Sequence, residues 1–147
     1  MNRRSAIQLA CALLTLSLRA VPGETRPWVF NAPRGEGYRI DLVSVDPAPG
    51  TVLAPGSKVT FHVTVKYALS AAKTGFIALV FQNEANGSAK DNSPQANQDV
   101  EAPSGVITLS DTIYIPRNKE LVLFVPLVPD GMTRTTGEVT IRYPVRK

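Results

Sequence analysis

In KVTFHVTVKY (58–67), Val59, Phe61, Val63, Val65 and Tyr67 alternate with Lys58, Thr60, His62, Thr64 and Lys66. Successive side chains of an extended chain point to opposite faces, so this period predicts a strand with an apolar face and a polar one. His62, the chain's one histidine, falls on the polar face among Thr and Lys. EVTIRYPV (138–145) repeats the pattern, with Val139, Ile141, Tyr143 and Val145 against Glu138, Thr140 and Arg142. GFIALVFQ (75–82) is nearly continuous in apolar residues, which predicts a strand buried on both sides or close to it. RIDLVSV (39–45), VITLSDTIYI (106–115) and LVLFVPLV (121–128) complete the set, with turn residues Pro116–Lys119 and Pro129–Gly131 closing the last two.

Between these strands, Pro47, Pro49, Gly50, Pro55 and Gly56 exclude regular pairing and predict a kinked crossover. YALSAAKTG (67–75) has room for one short helical turn, cut off by Gly75 and the strand after it. Six or seven strands, short turns and no amphipathic helix predict an all-β fold, an antiparallel β-sandwich of about seven strands.

The first residues add a different element. MNRRSAIQLACALLTLSLRAVPG has a positive start at Arg3 and Arg4, an apolar run from Ala6 to Leu18 and small or turn-forming residues at 20–23. This is the layout of a secretory leader over 1–23, and it predicts an exported protein, in the periplasm, at the cell surface or secreted. The run is shorter than the roughly 20 apolar residues of a spanning helix, so no stable membrane span is expected after cleavage. Asn2, Ala6 and Gln8 depart from the usual surroundings of a twin-arginine pair, which favours export as an unfolded chain. Cys11 lies inside the run with Leu13, Leu14, Leu16 and Leu18 after it, not at its end where a lipidated cysteine would sit. Residues 24–36 form a linker rich in Pro, Gly and charge, in which Trp28-Val29-Phe30 either adds a short strand or packs over an end of the core. The sandwich domain then occupies 37–147.

Charge changes meaning once the leader is set aside. The chain has 16 Lys and Arg against 12 Asp and Glu. Arg3, Arg4 and Arg19 lie in the leader, which leaves 13 against 12. With no basic cluster beyond Arg142, Arg146 and Lys147, nucleic acid is not an expected partner. The processed chain has no cysteine, so its cohesion in an oxidising compartment must come from packing.

The run DPAPGTVLAPGSKVTFHVTVKY, a proline-broken segment leading into an alternating strand, and the closing GEVTIRYPV resemble the immunoglobulin-like or fibronectin III-like modules of bacterial exported proteins. The resemblance spans about residues 38–145 and lies in pattern. It implies an Ig-like sandwich that serves as a scaffold for binding and spacing.

Candidate chemistry is sparse. Metal sites need converging His, Cys or carboxylates, and one His without a mature Cys does not supply them. The loop 82–105 offers Asn83, Glu84, Asn86, Asp91, Asn92, Asp99 and Glu101, but without the alternating spacing and terminal Glu of a calcium loop. A solvated polar loop containing a short edge strand is the expectation, with a calcium-stabilised module as the alternative. Asn86-Gly87-Ser88 matches a glycosylation acceptor by chance composition. A hydrolase reading would combine His62 with Asp41 or Asp46 and a serine, yet no serine sits in a Gly-x-Ser-x-Gly elbow. The expected function is therefore non-catalytic binding of a protein or glycan partner, with no cofactor. The loop 68–74 after the second strand and the loop 129–137 before the last are expected at one end of the sandwich, exposing Lys73, Met132 and Arg134 as the candidate contact surface.

Overall fold

The computed structural model describes residues 28–33, 37–83, 95–132 and 136–147. The expected leader over 1–23, Arg134 and most of the polar loop's candidate ligands lie outside them. The described residues form nine strands and no helix: β1 (Val29–Pro33), β2 (Tyr38–Asp46), β3 (Lys58–Leu69), β4 (Thr74–Ala78), β5 (Val80–Asn83), β6 (Asn97–Glu101), β7 (Ser104–Tyr114), β8 (Glu120–Pro129) and β9 (Gly137–Pro144). The fold is all-β, β-sandwich-like, with two antiparallel sheets. The smaller has the order β2-β3-β7. The larger runs β1-β9-β8-β4-β6, with β5 also on β8.

The period-two pattern of the sequence becomes the core. Phe61, Val63, Val65, Tyr67 and Leu69 of β3 face inward with Leu109 and Ile113 of β7. They meet Ile77, Leu79, Phe81, Leu121, Leu123, Val125, Leu127, Val139, Ile141 and Tyr143 of the other sheet. Phe61 ties the layers together, its ring 5.4 Å from Phe81 and 5.3 Å, edge-on, from Tyr143.

Nine strands rather than about seven arise from three places. Trp28-Val29-Phe30 takes the strand alternative, and β1 pairs antiparallel with β9 from Val29 opposite Ile141 to Pro33 opposite Gly137. The polar loop contains the edge strand β6, paired on β4. The expected strand 75–82 is divided at Leu79, although β4 and β5 hold one register on β8. The division lies opposite Val125 and Pro126, and a proline has no N–H to give to a ladder; Leu79 N instead donates to Ala96 O at 2.8 Å. Burial of this segment on both sides does not hold throughout: Phe76 stays 38% exposed, because β4 lies near the margin of the sheet with only β6 outside it. Residues 68–69 belong to β3, so no helical turn begins there.

The crossover behaves as its prolines and glycines dictate. Gly50 N donates to Arg142 O, Leu53 N to Pro144 O and Arg146 N to Leu53 O, so the segment lies along β9 beyond the end of β1. Together they cover the outer edge of β9, which would otherwise be open to another strand.

Candidate binding surface

Two glycines and their neighbours bring several loops to one end. A Cβ on Gly75 would meet Val128 O at 2.7 Å and Pro129 Cα at 2.9 Å, so only glycine allows β4 to approach the end of β8 so closely. Beside it Asp130 N donates to Thr74 O at 2.9 Å, and the Thr74 hydroxyl bonds the Asp130 carboxylate. The loops after β3 and after β8 therefore lie side by side. Lys73 is exposed in the first and Met132 in the second, while Arg134 lies outside the described residues. The turn before β7 joins the same end, where Leu69 N donates to Pro103 O and Ala102 N to Lys73 O, both at 2.8 Å.

Cavities follow from small side chains at this end. One of about 440 Å³ is lined by Leu69, Ser70, Ala71, Ala72 and Lys73 with Ala102 and Pro103 across from them. A second, of about 330 Å³, is lined by Arg39, Asp41, Lys66, Tyr67, Ala68 and Ser104. Tyr67 contributes less than an aromatic usually would. A Cβ on Gly105 would strike its ring at 2.7–2.9 Å, and its hydroxyl donates to Glu101 O at 3.0 Å.

The outward face of the smaller sheet holds His62 where alternation put it. Register gives it two neighbours that the strand alone did not: Asp46 on β2 and Ser110 on β7. All three are exposed. Hydroxyl pairs Thr60–Thr112 at 2.7 Å and Thr64–Thr108 at 2.8 Å flank them. No hydrogen bond joins His62 to Asp46 or Ser110 among the described residues, and an open sheet face supplies no enclosed donors for a developing oxyanion.

The Trp28-Val29-Phe30 segment, expected either to add a short strand or to pack over an end of the core, pairs from Val29 onward as β1, and only one of its three side chains packs inward. Val29 does so, whereas Trp28 and Phe30 remain 48% and 52% exposed, alternating out of the sheet on either side of it. Trp28 lies over Gly50, where a Cβ would come within 3.0 Å of the indole. Among the described residues, no three His, Cys, Asp or Glu side chains group to hold a metal ion, and residues 84–94 of the calcium expectation are not described. In comparisons with family models, curated proteins and solved structures, nothing matches this chain.

Proposed function

We propose that this chain is a small exported interaction module of immunoglobulin-like or fibronectin III-like build, binding a protein or glycan partner without catalysis. The strand orders support the build. Order β2-β3-β7 corresponds to strands A, B and E of such domains, and β9-β8-β4-β6 to G, F, C and C′. Export rests on the leader pattern of residues 1–23. The observation that carries the binding reading is the pair of cavities where the strand-end loops gather, one of them reaching Lys73. Rigid strands that hold adaptable loops at one end are a common way to build a recognition surface.

The processed chain, immobilised and exposed to envelope extract of its own organism, is expected to retain a discrete protein or glycan. Retention of nothing beyond what a denatured control retains would remove this reading. A second reading, a hydrolase built on His62, has for it only the register row Asp46–His62–Ser110. An unchanged phenotype of the His62→Ala strain would end it.

A further inference from the structure

We infer that the two cavities form one groove for an acidic glycan, a sugar chain bearing carboxylates; the inference rests on the binding-module reading and names its ligand. The cavities abut, since Ala68 and Ser104 line one while their chain neighbours Leu69 and Pro103 line the other. Register explains the dip. Arg39, Ala68 and Ser104 form one cross-strand row, and Asp41, Lys66 and Val106 the next. The methyl of Ala68 stands low between longer side chains, and beyond the strand end the floor continues over Ala71, Ala72 and Ala102.

Charge selects an anion. The lining contains three cations, Arg39, Lys66 and Lys73, and one carboxylate, Asp41. Asp41 is already held by Arg39 Nε at 2.6 Å and lies across from Lys66, so the groove keeps a local positive excess on an otherwise nearly neutral processed chain. Asp130, on the neighbouring loop, is outside the lining and is bound by Thr74. Exposed Glu101 on β6 is also outside it.

Shape and hydroxyls select a sugar over an acidic peptide. Protein partners draw affinity from aromatic or arginine anchors seated in deep pockets. This floor is made of alanines and is shallow, and the one aromatic ring in its lining, Tyr67, is spent on Gly105 and Glu101. Ser70 and Ser104 offer hydroxyls that can both donate and accept, as a hydroxyl-rich ligand requires.

The test uses the whole processed chain and titration calorimetry with oligogalacturonate, neutral dextran and polyglutamate as probes. Binding to oligogalacturonate, weakening with salt, is expected. The double variant Lys66→Ser with Lys73→Ser should lose at least about tenfold in affinity, the scale of one charge-assisted hydrogen bond. Ala71→Trp, which fills the groove without altering charge, should lose binding too. Lys58→Ser, at the far end of β3, should bind as the parent does, with melting temperatures showing that every variant folds. Equal binding to dextran, preference for polyglutamate, or binding indifferent to the groove variants would each overturn the inference. If no acidic glycan binds but envelope extract still yields a partner, the groove assignment fails and the module reading survives.

Discussion

Tyr143 turns burial into a pH dependence. Its side chain is fully buried, and its hydroxyl donates to Pro47 O at 2.7 Å. Burial first, and then the nearby Asp46 carboxylate, push its phenol far above the ordinary value near 10. An unfolded chain would ionise there while the folded one would not. The stabilisation is thus complete below about pH 10 and is lost as pH rises beyond it toward the folded-state value. Tyr143→Phe should cost about 1 kcal/mol near neutral pH, the net worth of one hydrogen bond, and should flatten the alkaline decline. Denaturant titrations near neutral pH and above about pH 10 would measure both; an equally steep decline in the variant would refute the assignment. The outward placement of His62 was legible from alternation alone. Its neighbours Asp46 and Ser110 were not, because a register shift between Leu42 and Ser44 decides which residue of β2 meets it, and pairing between strands leaves no trace in either strand's own pattern.

At the scale of elements, five strands (β2, β3, β7, β8 and β9) could be read from apolar periodicity within two residues at each end or better, β4 and β5 were legible only as one continuous apolar strand, and β1 and β6 only as options. The sequence of β6, Asn97–Glu101, has Val100 as its one apolar residue, so it has no alternation to detect and owes its existence to the ladder that β4 provides. β7 contains a signal that alternation would count as an error. Asp111 occupies the inward register between Leu109 and Ile113, opposite Phe61. One carboxylate oxygen accepts from Ala96 N at 3.1 Å and the other from Thr112 N at 2.8 Å. An inward charge on an edge strand discourages another chain from adding to it. Asp111→Val should leave the Ala96 N–H without that acceptor, at a cost of about 1–3 kcal/mol, and should promote association through β7. A lowered melting temperature together with concentration-dependent light scattering is expected; a variant that stays monomeric and melts like the parent would show that the carboxylate does neither.

For the whole molecule, the strands say little about which loops share an end, because that depends on which sheet each strand joins. The chain leaves the smaller sheet after Leu69 and enters the larger at Thr74, and this single transfer places Lys73 beside the end of β8. The candidate surface was therefore legible as two loops and illegible as a groove, whose walls come from Arg39, Ala68 and Ser104 on three different strands. The same two-sheet arrangement concentrates cohesion between the layers. The chain has a single cysteine, Cys11, so no disulfide within the chain can join the sheets; they are held by packing, and Phe61 contacts rings from both halves of the opposite sheet, Phe81 on β5 and Tyr143 on β9. Deleting its ring removes contacts to two facing strands at once and leaves a cavity between layers that the backbone ladders keep from collapsing. Phe61→Ala should therefore cost about 3–5 kcal/mol, a large share of the roughly 5–15 kcal/mol that holds a typical domain folded. Val59→Ala, on the same strand but only half-buried, removes far less area and should cost about 1 kcal/mol. Denaturant midpoints of the two variants measure the contrast, and similar losses for both would mean that the sheets are joined somewhere other than through Phe61.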